Sequence, residues 1–120
     1  VVDCIDVYMT EGGCGWLAAV VKIRKHDEED SKKAIEAALA GHRSMKMVTI
    51  VDEDIDIGNP VRVEWAMVTR WQPDRDTYIY SDQKGSSLDP SRYGDGKTSK
   101  VGFDATIHHG DNPEGYQSVQ

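Results

Sequence analysis

The run at residues 45–51, Met-Lys-Met-Val-Thr-Ile-Val, constrains the fold more than any other part of the chain. It follows one helical stretch and precedes another. Apolar side chains stand at both odd and even positions, so a strand here is buried on both faces. A strand of that kind belongs in a sheet whose parallel neighbours are joined by helices, and such crossovers are right-handed.

The flanking segments agree. Residues 1–9 are rich in β-formers, and Glu11-Gly12-Gly13-Cys14-Gly15 then breaks the pattern. Three glycines there allow positive φ and a tight reversal. Residues 16–24 read as a second strand, so the pair predicts an N-terminal hairpin. Residues 27–40 read as a helix with Ala34, Ile35, Ala38 and Leu39 on one face, acids such as Asp30 at its start and Gly41 at its stop. Asn59-Pro60 opens a second helix that runs through Arg70. Residues 77–80 form a further β segment, 85–97 a polar loop and 101–106 a last short strand. The expected fold class is α/β: a mixed sheet with an N-terminal β-hairpin followed by βαβ-type crossovers, helices packed on the sheet. Residues 1–106 form the domain, and 107–120, polar with Gly and Pro, are expected to be a flexible tail.

Charge narrows the partners. The net charge is −7, which repels a nucleic-acid backbone. Lys22, Arg24, Lys25 and His26 make the densest basic run, but Asp27, Glu28, Glu29 and Asp30 cancel its field. No apolar run approaches the roughly 20 residues of a membrane span. Two cysteines, Cys4 and Cys14, are too few for a disulfide scaffold, and His26, His42, His108 and His109 show no ligand spacing with them. Two reduced thiols in a cytoplasmic protein are expected. The chain opens on Val1-Val2-Asp3 without a Met or a basic-then-apolar leader, as expected of a piece of a longer cytoplasmic protein.

Each chemical motif has a structural alternative. Asp52, Glu53, Asp54 and Asp56 follow the buried strand, where acids could hold Mg²⁺. The plainer reading is a solvated loop whose acids cap the next helix. The Glu11-Gly12-Gly13-Cys14-Gly15 run could cradle a phosphate, yet it lacks a GxGxxG or GxxxxGK pattern and precedes a strand. The Cys14 thiol could act as a nucleophile, but no base partner is implied. Ser86, Ser87, Leu88 and Asp89 lie in a long loop, and long loops often carry function. Asp89-Pro90 could equally just shape a turn. Lys46 beside a buried run either meets an anion or snorkels to the edge. Trp16, Trp65 and Trp71 suit a core or an interface.

Taken in order, six segments resemble the C-terminal domain of the UbiD family of decarboxylases. They are EGGCGWLAAVV at 11–21, KMVTIVDEDID at 46–56, VEWAMVTR at 63–70, PDRD at 73–76, GSSLDPS at 85–91 and SKVGFDAT at 99–106. The resemblance implies a parent enzyme that reversibly decarboxylates an aromatic or α,β-unsaturated carboxylic acid with prenylated FMN. Mn²⁺, with K⁺ in many members, accompanies the cofactor phosphate. The metal ligands and the Glu–Arg–Glu acid/base set lie in N-terminal and middle regions outside this sequence. No catalytic or metal-binding residue is therefore carried over. The domain is expected to close over the active site, line part of the substrate pocket and build a dimer or hexamer. On its own it is expected to be inactive. By the same resemblance, Lys46 is cofactor-binding through the phosphate, and Ser86, Ser87, Leu88 and Asp89 are substrate-binding. Family substrates include ubiquinone precursors, cinnamate-like acids, simple aromatic acids and an archaeal phosphorylated anhydromevalonate. The EGGCGW and GSSLDPS segments are most similar to prokaryotic, archaeal members. The competing readings are a stand-alone, non-catalytic α/β interaction module and a metal- or phosphate-dependent signalling domain built on the acidic run.

Overall fold

The computed structural model describes residues 2–108. Five strands and two helices follow in the order β1 (Asp3–Met9), β2 (Ala18–Arg24), α1 (Asp30–Gly41), β3 (Met47–Val51), α2 (Pro60–Arg70), β4 (Thr77–Lys84) and β5 (Lys97–Ala105). The sheet order is β1-β2-β3-β5-β4. Strands β2, β3 and β5 are parallel, and β1 and β4 close the two edges antiparallel. The α/β class, the mixed sheet and the N-terminal hairpin are as the sequence predicts.

The helices lie on opposite faces because side chains alternate across the strands. Ala19, Val21, Ile23, Val48 and Ile50 pack with Ala34 and Ile35 of α1 and with Met45. Val20, Val51 and Ala105 pack with Ile55, Ile57 and Ala66 on the α2 side. Strand β3 contributes to both layers, and Val48, Ile50 and Val51 are fully enclosed.

Several boundaries move from the sequence reading. Strand β4 runs to Lys84 and β5 starts at Lys97, so the polar loop shrinks. The segment read as a last short strand is the longest one and lies between β3 and β4. Its outer half, Lys97-Thr98-Ser99-Lys100, carries no hydrophobic signal; pairing with β4 extends it. Asp30 does not cap α1. Its carboxylate accepts from the backbone N–H groups of His26 (2.9 Å) and Asp27 (3.1 Å), bracing the turn before the helix.

The acidic run also does something other than cap. Asn59 is the N-cap of α2, accepting from Val61 N at 3.0 Å. Asp52 and Asp54 instead receive Arg70, whose side chain is fully buried, at 2.9 Å and 2.8 Å. The Arg70 guanidinium also lies 5.1 Å from the Trp65 ring centroid. Removing one partner from such a buried set leaves uncompensated charge, so it fastens the end of α2 to the carboxyl end of β3. Lys25 Nζ reaches Thr106 Oγ1 and Ile107 O at 3.1 and 3.2 Å. Ile107 N in turn donates to Asp52 Oδ2 at 2.9 Å. Ile107 and His108, read as the start of the tail, are held by these bonds and by His108 Nδ1 at 2.8 Å from Glu28. The remainder of the expected tail lies outside the described residues.

One glycine sets how closely α1 approaches the sheet. A Cβ on Gly102 would fall 2.2 Å from Ile35 Cγ2, and Ile35 is fully buried. The helix rests on bare backbone of β5. Gly102→Ala is expected to destabilise the domain by about 1–3 kcal/mol through overpacking. Urea denaturation of the single variant, and of the pair with Ile35→Ala, measures this. Destabilisation by the two changes that is simply additive would contradict the contact.

Candidate functional site

The parallel strands give the sheet two distinct ends. At the carboxyl end, Arg70, Asp52, Asp54, Lys25 and Thr106 form the bonded lattice described above. Open α/β sheets usually bind ligands at that end; here its polar groups are spent on one another.

One group of metal-capable side chains meets there among the described residues. Asp76, Asp104 and His108 bring one ligand atom each within 4.8 Å of one another. Their carboxylates already have partners. Asp76 accepts from Arg75 Nε and from Gln72 N at 2.9 and 2.8 Å, and Asp104 Oδ1 accepts from Thr106 N at 3.1 Å. Although burial opposes its ionisation most strongly, the Arg75, Gln72 and His108 neighbours hold the Asp76 carboxyl below its usual range. The arrangement braces the end of β5 against the turn before β4.

The residues singled out from sequence converge on the other end. Lys46 stands just before β3, between β2 and β5. Its N–H and that of Met47 donate to Leu17 O at 2.7 and 3.0 Å, and its carbonyl accepts from Val101 N at 2.9 Å. Main-chain bonds on both sides thus fix the root of the lysine. Its ammonium lies 2.9 Å from Asp89 Oδ2 and donates to Ser91 Oγ at 2.7 Å. The sequence placed Lys46 and the 86–89 loop in separate arguments; the fold brings them together.

The loop is shaped from within. Ser86 Oγ accepts from Leu88 N at 3.1 Å, and Asp89 N donates to Ser86 O at 3.0 Å. Gly85 permits the closure: a Cβ there would meet Arg92 Cδ, Arg92 Cγ and Gly96 O at 2.9 Å. The Asp89 carboxylate accepts from Ser91 N (2.9 Å), Ser91 Oγ (2.6 Å) and Thr98 Oγ1 (2.9 Å). Ser91 and Lys46 are the chief causes that hold its carboxyl well below the usual carboxylate range. A carboxylate held so low is a poor proton acceptor at neutral pH. Ser87 and Leu88, by contrast, are exposed.

The same end exposes Trp16 and Met47. The cluster therefore offers a cation, an unspent serine hydroxyl at Ser87 and apolar surface. That donor set can hold an anion or orient a polar ligand beside an apolar one. The sequence missed Thr98 and Ser91. The Asp89-Pro90-Ser91 spelling signals an Asx-type turn, whereas nothing local marks Thr98 as the anchor.

The chain matches the 3-octaprenyl-4-hydroxybenzoate carboxy-lyase C-terminal domain over residues 1–105. The chain belongs to the UbiD family. It is 52% identical over 101 residues to the anhydromevalonate phosphate decarboxylase of Methanothermobacter thermautotrophicus, covering 84% of this chain and 24% of that protein. It superposes with a TM-score of 0.91 on the UbiD-class enzyme HmfF from Pelotomaculum thermopropionicum in complex with FMN, at 39% identity over 98% of this chain and 26% of that one. An evolved dimeric form of HmfF in complex with prFMN gives a TM-score of 0.74 at 36% identity, covering 91% of this chain and 22% of that one. The chain thus spans about a quarter of the length of these UbiD relatives.

The low Asp89 carboxyl carries a pH signature. Its folded pKa lies below the unfolded value of about 3.9, so its contribution to stability is complete above that pH. The contribution is lost as pH falls through the lowered folded value. Denaturant unfolding between pH 7 and pH 2 is expected to show a shallower acid limb for Asp89→Asn than for the native chain. Parallel limbs would mean that Asp89 is not held low.

Proposed function

We propose that this chain is the C-terminal part of a prenylated-FMN-dependent carboxy-lyase that acts on anhydromevalonate phosphate. The observation that carries the substrate class is the 52% identity to a decarboxylase of that compound, against 39% to HmfF. The chemistry of the amino-end cluster is compatible with it. Prenylated FMN and a short phosphorylated enoic acid each bring a phosphate, and a lysine suits phosphate as a point charge.

In this reading Lys46 contacts the cofactor phosphate. Its ammonium spends two contacts on Asp89 and Ser91; a lysine has three N–H donors, so one is left for an anion. The exposed Ser87 and Leu88 face the substrate. The cofactor, when bound, supplies the electron sink for the charge left on loss of CO₂. This chain's residues bind and orient; they do not move the proton. The flavin ring, Mn²⁺ or K⁺ and the acid/base residues belong to the rest of the parent chain. The reading further holds that the domain closes the pocket, supports homo-oligomerisation and works in the cytoplasm. No helix among the described residues is long and apolar enough to cross a membrane.

The test is turnover by the full-length protein that contains this chain, reconstituted with prenylated FMN and Mn²⁺. Release of CO₂ from anhydromevalonate phosphate is expected, with none from residues 1–120 alone. Turnover of an aromatic acid in preference to the phosphorylated one would overturn the substrate class. Absence of both activities, with flavin bound, would leave a non-catalytic module.

A further inference from the structure

Asp89 is the best-connected side chain at the amino end, yet its carboxylate does not face outward. Its side chain is 5% exposed, while that of Lys46 is 33% exposed. Four donors converge on it: Ser91 N, Ser91 Oγ, Thr98 Oγ1 and the Lys46 ammonium. Thr98 lies on β5 and is itself buried, so the carboxylate is fixed to the sheet and not only to its own loop. Meeting a substrate directly would require breaking some of these bonds, among them the one that satisfies the buried Thr98 hydroxyl.

The consequence falls on Lys46. An exposed lysine sweeps many rotamers, and ordering it costs side-chain entropy. Here the root is pinned by Leu17 O and Val101 N, and the tip is pinned by Asp89 Oδ2 and Ser91 Oγ. Both ends of the side chain are therefore set before any ligand arrives, and the remaining N–H has a fixed direction. Preorganised donors bind more tightly because the ordering cost is already met. The same residue belongs to the loop that carries Ser87 and Leu88: its backbone N–H closes the turn onto Ser86 O, while its carboxylate holds Ser91 on the far side.

We propose that Asp89 is a positioning residue: it acts through Lys46, aiming the lysine at a phosphate and locking that aim to the loop bearing Ser87 and Leu88. This rests on the reading of Lys46 as the phosphate contact. It gives Asp89 a different task from touching the substrate, and it extends the site to Ser91 and Thr98.

A double-mutant cycle in the full-length decarboxylase separates the possibilities, with FMN as the probe and its dissociation constant as the readout. Asp89→Asn is expected to weaken FMN binding about tenfold when Lys46 is present and less than about twofold in a Lys46→Met background, the coupling typical of two groups in one network. Ser91→Ala and Thr98→Val leave the Asp89 charge in place and are expected to show the same dependence on Lys46 at smaller size. They carry the test if melting shows that Asp89→Asn is unfolded. Equal losses with and without Lys46 would overturn the proposal. So would tighter binding by Asp89→Asn, since Asp89 would then be only a competing charge. If Lys46→Met alone leaves FMN binding unchanged, the phosphate-contact reading fails first and the proposal falls with it.

Discussion

From Val48 to Val51, strand β3 has no face left for water. Val48 and Ile50 point into the layer under α1, and Val51 points into the layer under α2. Once that strand is central, both helices must lie on the sheet, one per face, and the edges must be made by strands that tolerate exposure. β1 meets that condition, with most of its residues exposed. The burial of one short strand thereby fixes the layering of the domain. It also places Lys46, its immediate neighbour in the chain, at the rim between β2 and β5.

The two ends of the sheet use polar chemistry differently. At the carboxyl end, charges are paired inward: Arg70 with Asp52 and Asp54, Lys25 with Thr106 and Ile107. Such a lattice fastens α2, β3 and the end of β5 to one another and leaves little to offer a ligand. At the amino end, one carboxylate organises a cation and a loop, and part of the donor set faces out. The ordinary location rule for open α/β sheets would have directed attention to the acidic run. Bond accounting, not position, distinguishes the two ends.

Much of this was legible in the sequence because periodicity reports burial. The hairpin, both helices and the double-faced β3 all followed from apolar spacing and from Gly and Pro punctuation. What escaped was non-local. Residues 97–100 have no apolar pattern, and they become a strand because β4 offers them backbone partners. Asp52 and Asp54 read as a solvated run because their cation, Arg70, is 18 and 16 residues away. Lys46 and Asp89 each stand out for local reasons, but no local pattern says that they touch across more than forty residues, as the Lys46–Ser91 bond at a separation of 45 illustrates.

The closure at Gly85 has a bearing on how such a domain can diversify. Because a side chain at that position would strike Arg92 and the Gly96 carbonyl, the loop path is a fixed rail. Ser87 and Leu88 ride on the rail with their side chains free of the packing beneath. Evolution can thus exchange those two residues, and with them the shape and polarity offered to a bound molecule, without renegotiating the backbone. Novelty at this rim is cheap in side chains and expensive in main chain.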